Sequence, residues 1–237
     1  MLNKLLFKLS DIYGTEDKFK FEFTSKDQID QFISLGSEYF KYVYPDRFNE
    51  IDTFYSIWIQ IFNELKYRHF KKKTVRTYEW HRTFNFSQHT FKLYSNFNID
   101  SILKDSAILK KTTLREANFN FLINTSCDRV PFRKVDWNNP ILVCNTLSES
   151  IVIDGNHRYQ NAVSQNLDIP VLIISYPDLS KLHFINEYDF YVFKLGEEFN
   201  FVTRPFYTSM VNKSTQRTRI IFESSCPTDG YNRIIKY

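Results

Sequence analysis

The sequence contains few of the residues that mark specialised classes of protein. Its 237 residues include only 5 glycines, 7 prolines and 3 cysteines. So few glycines and prolines argue against a disordered or low-complexity chain. Cys127, Cys144 and Cys226 are widely spaced, which favours reduced thiols over a disulfide framework or a paired-cysteine zinc site. Cys144 is a weak redox candidate, although a buried structural thiol is the commoner role.

Long apolar runs and a strong net charge are also missing. No window holds about 18 uncharged apolar residues, and the apolar cluster in Met1–Phe7 is shorter than a secretory signal requires. We therefore expect a cytoplasmic protein without a membrane partner. The formal net charge of +4 is mild, so the overall charge does not by itself indicate a nucleic-acid partner.

Aromatic residues are abundant and give the chain enough apolar area for a substantial core. They make up 18% of the sequence, within a hydrophobic fraction of 43%. Apolar residues at three- and four-residue steps predict two amphipathic helices over residues 25–67, separated at Pro45 and with Ser25 near the first N-cap. Partial alternation predicts strands in Phe84–Phe97, whereas residues 102–123 have a helical pattern.

The C-terminal part contains β-branched and aromatic residues with local alternation. In residues 183–203 and 217–223 this pattern predicts a second sheet or an extension of the first. We expect an α+β protein with a mainly helical region over residues 1–100, a core over residues 101–180 and a β-rich extension over residues 181–237. These regions form either separate units or one compact domain.

The stretch Ile151–Ala162 carries the strongest chemical signal. A β-branched run ends at Asp154 and is followed by Gly155, and an Asp-Gly pair is a strong turn signal. A helical pattern then covers residues 159–166, and Val171–Ile174 has the composition of a strand. The pattern predicts a strand, a tight turn, a helix and a second strand.

The physical chemistry of this turn favours an anion. Gly155 permits a positive φ, and the peptide N–H groups of Asn156, His157 and Arg158 would lie unpaired at the start of a helix. Such a helix end attracts phosphate, and the Arg158 guanidinium and the His157 ring add donors. Asp154 could bind a cation or orient a hydroxyl. The alternative is an ordinary turn, in which Asp154 and Asn156 cap the helix and Arg158 is solvated.

Three short segments together resemble the ParB/sulfiredoxin superfamily. Pro140–Val143, Ile151–Ala162 and Ile169–Val171 follow its order of a P-I-x-V strand, a D/G-G-x-H/R-R-x-x-A loop and helix, and an I-P-V strand. The match covers residues 140–174. The resemblance implies an α+β core of that superfamily, with a loop that grips nucleotide phosphates.

The residues of the loop indicate which branch of the superfamily the chain resembles most. Asn156 stands where sulfiredoxins have a reactive cysteine, so sulfinic-acid repair is not expected. The ParB partition proteins carry Glu-Arg-Arg, whereas this chain has Asn156, His157 and Arg158. The D-G-x-H-R form is most similar to the free-serine-kinase branch, whose members transfer a phosphoryl group from a nucleotide to a small hydroxyl compound.

This resemblance implies a phosphotransferase or a nucleotide hydrolase, with ATP or ADP as the nucleotide, Mg²⁺ as the cofactor and a small hydroxyl-bearing acceptor. Asp154 would position the metal or the acceptor, and His157 and Arg158 would neutralise developing charge. Glu116 and Asp128 are candidates for the general base. The simpler interpretation of Glu116 is an exposed helix residue.

A basic and aromatic stretch from Lys66 to Arg82 supports a second hypothesis. Its candidate nucleic-acid contacts are Arg68, Lys71, Lys72, Lys73 and Arg76. Basic charge interleaved with rings is typical of single-strand contacts, and the superfamily also contains DNA-partition and DNA-cleaving members. Two alternatives are open: the stretch is a solvated helix end, or the protein keeps the fold without turnover and serves as an interaction protein.

Overall fold

The computed structural model of the chain describes residues 24–43, 48–65, 75–86, 89–117, 136–147 and 149–207. The helices in these residues are α1 (Lys26–Val43), α2 (Phe48–Glu64), α3 (Ile99–Lys104), α4 (Leu114–Ala117), α5 (Asn156–Gln165) and α6 (Glu187–Tyr207). The strands are β1 (Thr77–Phe86), β2 (His89–Asn98), β3 (Lys110–Thr113), β4 (Ile141–Asn145), β5 (Ser150–Asp154) and β6 (Pro170–Ser175). Short 3₁₀ turns cover Ser106–Ile108, Tyr176–Asp178 and Lys181–His183. The expected α+β class is confirmed.

The two predicted N-terminal helices are confirmed. A capping box starts α1: the Gln28 N–H donates to Ser25 Oγ at 3.2 Å, and the Ser25 N–H donates to the Gln28 side chain at 2.7 Å. The apolar stripe of each helix is buried, with Phe32 on α1 and Trp58 on α2 almost fully enclosed. Both aromatic stripes therefore serve the packing of the core.

The strands β1 and β2 form an antiparallel hairpin. Thr77 lies opposite Asn98 at the open end, and Phe86 lies opposite His89 near the turn. The prediction of strands in Phe84–Phe97 is confirmed. Because β1 already begins at Thr77, the later part of the basic stretch belongs to a strand and not to a helix end.

The other four strands form one mixed sheet in the order β3-β6-β4-β5. β4 is parallel to β6 and antiparallel to β5, and β3 is antiparallel to β6. Because of these directions, the end of β5, the starts of β4 and β6, and the end of β3 all lie at one end of the sheet. Asp154 and Gly155 leave the sheet at this end, which we call the loop end.

Both faces of the sheet are covered. On one face, Val143 and Val152 pack in a cluster with Tyr159 and Ala162 of α5. On the other face, Leu142 belongs to a larger cluster that includes residues of α1, α2, the hairpin and α6. β4 is therefore buried on both sides, which explains its nearly continuous apolar sequence. The larger cluster draws residues from each of the three predicted regions.

The predicted β-rich C-terminal extension is wrong over residues 187–207, which form α6. The residues from Tyr188 to Phe199 are buried all round this helix. A helix that is buried on every side lacks the contrast between an apolar and a polar face, so the local alternation at Phe190 and Val192 resembles a strand. The predicted strand at residues 217–223 lies outside the described residues.

The helical pattern predicted over residues 102–123 is interrupted by a strand. β3 pairs with β6, from Lys110 opposite Ile173 to Thr113 opposite Pro170. The β-branched Thr112 and Thr113 suit a strand, and pairing with an existing sheet edge overrides the weak helical periodicity. Residues 118–123 are outside the described part of the chain.

Among the described residues, no helix combines the length and the apolar character needed to cross a membrane.

Candidate functional site at the Asp154–Arg158 loop

The loop between β5 and α5 has the backbone geometry predicted for it. Gly155 has a φ of 87° and a ψ of 27°, in the left-handed region. α5 begins at the next residue, and the Tyr159 N–H donates to the Gly155 carbonyl at 2.9 Å. No side-chain cap forms at this end among the described residues, so the alternative in which Asp154 or Asn156 caps the helix is not found. By helix geometry, the N–H groups of the first turn have no intrahelical acceptor.

The absence of a side chain at position 155 lets a guanidinium approach the backbone. A Cβ atom there would lie 2.8 Å from Arg158 Nη2 and 2.9 Å from Ile141 Cγ2. Arg158 folds back across the loop, and only 18% of its side chain is exposed. The alternative of a solvated Arg158 is therefore not the arrangement in the structure.

Several polar atoms around the loop lack partners. Arg158 Nη2 donates to the Pro140 carbonyl at 3.1 Å and lies 3.5 Å from Asp154 Oδ2. Arg158 Nε, His157 Nδ1 and Asn161 Nδ2 are buried and have no hydrogen-bond partner within the described ranges. Buried polar atoms are normally paired, so the Arg158 and His157 atoms at the loop are a feature that a bound ligand would explain.

Arg76 of the basic stretch lies at the same loop. Its Nη1 is 3.6 Å from Asp154 Oδ2, and its Nε donates to Asp100 Oδ1 at 2.7 Å. Its backbone N–H donates to the second oxygen of Asp100 at 3.0 Å. The backbone bond, followed by the side-chain bond, lowers the pKa of Asp100 from its ordinary value. The sequence assigns Arg76 only to the nucleic-acid hypothesis, and the fold brings it to Asp154.

Asp154 is the predicted metal ligand, and the acidic, histidine and cysteine side chains near it decide which kind of metal site is possible. In the residues that the structure describes, no three His, Cys, Asp or Glu side chains are grouped so that they could hold a metal ion. Mg²⁺ at nucleotide sites is usually held by one or two carboxylates together with phosphates of the substrate. The single carboxylate of Asp154 at this loop fits that kind of site, and it does not fit a metal site built by protein ligands alone.

Glu116 has a structural task. Its Oε2 accepts from the Thr112 hydroxyl at 3.0 Å and from the Thr113 N–H at 3.2 Å, and its own N–H donates to Thr113 Oγ1 at 3.4 Å, so Glu116 and Thr113 form a capping box at the start of α4. β3, which leads into α4, is three strand spacings from β5, about 14 Å across the sheet. The general-base role of Glu116 stays a prediction that requires an acceptor to bridge this distance, and Asp128 lies outside the described residues.

The other basic residues of the second hypothesis fall into two groups. Outside the described residues lie Arg68, Lys71, Lys72 and Lys73. Arg82 is described, and its Nη2 donates to Glu149 at 2.6 Å and to Glu197 at 2.7 Å. Because Glu197 is fully buried, Arg82 is committed to the interior and is not available to a nucleic-acid strand.

A second group of charged side chains lies at the opposite end of the sheet. Lys194 Nζ donates to the Tyr176 carbonyl at 3.2 Å, and the Tyr176 hydroxyl donates to Glu198 at 2.9 Å. Burial raises the pKa of Glu198 and lowers that of Lys194. Burial also raises the pKa of the Cys144 thiol, and because the thiolate is the reactive form, the structural role of Cys144 is favoured over the redox role.

Sequence patterns gave no functional prediction for this second group. The available signal was the spacing of Lys194, Glu197 and Glu198, which stand three and four residues apart in an otherwise aromatic and apolar run. Charges at helical spacing in such a run indicate one face of a helix that carries buried ion pairs.

Comparisons of the chain with protein-family models, with curated proteins and with solved structures give no match. The resemblance to the ParB/sulfiredoxin superfamily therefore rests on the segments within residues 140–174, and it stays a prediction.

Proposed function

We propose that the protein is a nucleotide-dependent phosphotransferase or a nucleotide hydrolase that binds phosphate at the Asp154–Arg158 loop. The observation that carries the proposal is the left-handed Gly155, which opens an uncapped helix N-terminus next to the Arg158 guanidinium. Helix N-termini and arginine forks both favour phosphate. The buried Arg158 Nε and His157 Nδ1, which lack partners among the described residues, add capacity for hydrogen bonds to a ligand.

Each residue of the loop has a separate task in this proposal. The peptide groups of the first turn of α5 hold phosphate oxygens, while Arg158 and His157 offset the negative charge that develops during transfer. Asp154 orients the acceptor hydroxyl or the attacking water, or contacts the Mg²⁺ that accompanies the nucleotide. Mg²⁺, when bound, neutralises phosphate charge. The protein contributes mainly positioning and fixed dipoles, so the chemistry requires a rigid loop and no covalent intermediate.

Thermal unfolding in the presence of nucleotides tests the binding step. A nucleotide that binds the native state must raise the melting temperature, and at one hundred times its Kd it stabilises by about 2.7 kcal/mol. ATP, ADP, CTP and GTP are each added with and without Mg²⁺. Arg158→Ala should abolish the shift, and it should lower nucleotide turnover by about 10²–10³-fold because a fixed donor to the developing charge is lost.

Arg115→Ala is a matched control for this experiment. The Arg115 guanidinium also donates to one backbone carbonyl, that of Asn166 at 3.2 Å, beyond the other end of α5. We expect this variant to keep both the shift and the turnover. Unchanged nucleotide turnover in Arg158→Ala would contradict the assignment, whereas a wild-type protein with no nucleotide-dependent shift would favour an interaction protein without turnover.

The DNA-associated alternative draws little support from the described residues. Arg82 is committed to Glu149 and to the buried Glu197, and Arg76 is the one candidate nucleic-acid contact that lies within the described residues. DNA binding through the basic stretch would weaken steeply as the salt concentration rises. A mobility-shift titration that shows no DNA binding, or binding that is insensitive to salt, would exclude this alternative.

A further inference from the structure

Two guanidinium groups from distant parts of the chain face one oxygen of Asp154. Arg76 Nη1 is 3.6 Å from Asp154 Oδ2, and Arg158 Nη2 is 3.5 Å from the same atom. Arg76 directly precedes the hairpin strand β1 and lies outside the segments that carry the superfamily resemblance, whereas Arg158 lies in the first turn of α5. The loop therefore holds a carboxylate between two permanent cations.

Neither contact is a close hydrogen bond. Charge-assisted N–H···O bonds are usually about 2.7–2.9 Å long, and the bond between Arg76 and Asp100 has such a length, 2.7 Å. Asp154 is held by the charge of both guanidinium groups without a short bond to either. A tetrahedral phosphate has several oxygens and can make a short bond to each guanidinium, which one carboxylate oxygen at this position does not do.

Asp100 fixes the position of Arg76. It accepts from the backbone N–H of Arg76 at 3.0 Å and from Nε at 2.7 Å, and the Ile99 N–H donates to the Arg76 carbonyl at 3.0 Å. Because Asp100 accepts from Nε of the guanidinium, Nη1 is left to face Asp154. With 56% of its side chain exposed, Arg76 is accessible to a ligand from solvent and is already ordered for binding.

We propose that Arg76 is a second phosphate-contacting residue of the loop, and that Asp154 occupies the position between Arg76 and Arg158 that a phosphate takes on binding. This inference rests on the proposed function and narrows its ligand to a di- or triphosphate that arrives with a divalent cation. The charges of Asp100, Arg76, Asp154 and Arg158 sum to zero, so these groups attract a bare polyphosphate less strongly than the two guanidinium groups alone would. A divalent cation at Asp154 more than offsets the charge of the carboxylate and leaves two guanidinium groups for the phosphate oxygens.

Titration calorimetry with inorganic tripolyphosphate in the presence of EDTA tests the inference without turnover and without a divalent cation. Asp154→Asn should tighten binding roughly tenfold, because it removes one negative charge a few ångströms from the ligand near the protein surface. Arg76→Ala should weaken binding by a similar factor. Arg76→Gln, which keeps a side-chain donor for Asp100, should also weaken it, and the matched control Arg115→Ala should bind like the wild type.

The possible outcomes separate this inference from the proposed function. If both Arg76 variants bind tripolyphosphate like the wild type while Arg158→Ala loses binding, Arg76 is outside the site and the inference alone fails. It also fails if Asp154→Asn weakens binding, since Asp154 is then a positioning group and not a competitor. If the wild type binds neither tripolyphosphate nor any nucleotide with Mg²⁺, the proposed function fails as well. Circular dichroism spectra show whether each variant is folded.

Discussion

Replacing Arg82 with methionine should destabilise the protein by about 3–5 kcal/mol, the usual loss when one partner of a buried ion pair is removed. Arg82 Nη2 lies 2.6 Å from Glu149 Oε1 and 2.7 Å from Glu197 Oε1. The Glu197 side chain is 0% exposed and that of Arg82 is 14% exposed. Methionine keeps much of the apolar volume of the arginine stem, so the loss reflects the removal of Arg82 from the buried carboxylate of Glu197 and from the partly exposed carboxylate of Glu149.

Two further variants give losses of stability with which the loss in Arg82→Met can be compared. Glu197→Gln removes the buried negative charge and keeps the shape, while Arg82 retains Glu149, so we expect a smaller loss of about 1–3 kcal/mol. Lys104→Met removes a cation from an exposed position in the last turn of α3. That change should stay within about 0.5 kcal/mol of the wild type, as is usual for surface substitutions.

Urea unfolding near neutral pH, followed by far-UV circular dichroism, measures the free energy of unfolding of each variant. Equal m-values among the variants justify a direct comparison of the midpoints. If Arg82→Met loses no more than about 1 kcal/mol relative to Lys104→Met, the Arg82 ion pairs are not a net source of stability and the reasoning from buried charge is refuted.

Asp189 and Gly196 give two more predictions. Burial raises the pKa of Asp189 from 3.8 to about 7, so the folded protein holds a proton that the unfolded chain releases; the stabilisation is complete below the unfolded pKa and is lost as pH rises through the folded pKa. Between these two pKa values the unfolding free energy of the wild type, measured in urea, should therefore fall by up to about 1.4 kcal/mol per pH unit because of Asp189, and Asp189→Asn should remove this fall. If the unfolding free energy of the variant has the same pH dependence as that of the wild type, the proton is held by another group. Burial lowers the pKa of His183, so His183 makes the unfolding free energy rise with pH. This contribution is the same in the wild type and in Asp189→Asn, and it cancels when the two are compared. Gly196→Ala should lower the melting temperature because its Cβ would lie 2.5 Å from Trp80 Cη2; overpacking costs about 1–3 kcal/mol against about 1 kcal/mol gained in helix propensity. Adding Trp80→Phe should recover part of the loss, and a melting temperature equal to the wild type for Gly196→Ala alone would mean that the indole moves aside freely.

The backbone of the candidate site is predictable from the sequence because its causes are local. An Asp-Gly pair after a β-branched run requires a turn, and only glycine adopts the φ of 87° at position 155 without strain. The capping box at Ser25 and Gln28 is predictable for the same reason, because both partners lie within one helical turn. Such features depend on a few neighbouring residues and survive in almost any tertiary context.

The elements that sequence patterns misassign are those whose conformation is decided by burial or by pairing. From Tyr188 to Phe199 every position of α6 is buried, so its apolar residues form no single stripe, and the spacing of Lys194, Glu197 and Glu198 is the signal of a helical period in this run. β3 has four residues, and its conformation is stabilised by hydrogen bonds to β6, which lies far along the chain. Local periodicity is weak evidence in both cases because tertiary contacts decide between helix and strand.

The charged partners of the loop are not predictable from one sequence. Nothing in the local pattern around Arg76 indicates Asp154, because their proximity depends on where the hairpin packs against the four-stranded sheet. The pair between Arg82 and Glu197 depends in the same way on the placement of α6. These contacts join elements that the sequence separates, and they are the part of the site that only the fold supplies.

The buried pair of Arg82 and the exposed pair of Arg76 are linked through the geometry of the hairpin. From Arg76 to Arg82 the chain advances about 20 Å, and from Glu149 to Asp154 about 17 Å, so the two distances match closely. Arg76 lies beside Asp154, and Arg82 lies beside Glu149. Both contacts can form together only if β1 runs in the direction opposite to β5 and is placed at one particular position along it. An exposed ion pair contributes only about 0–1 kcal/mol and could not hold the hairpin in that register by itself. The ion pairs of Arg82, together with the hydrophobic core that the hairpin shares with the sheet and α6, therefore position Arg76 beside the loop at the other end.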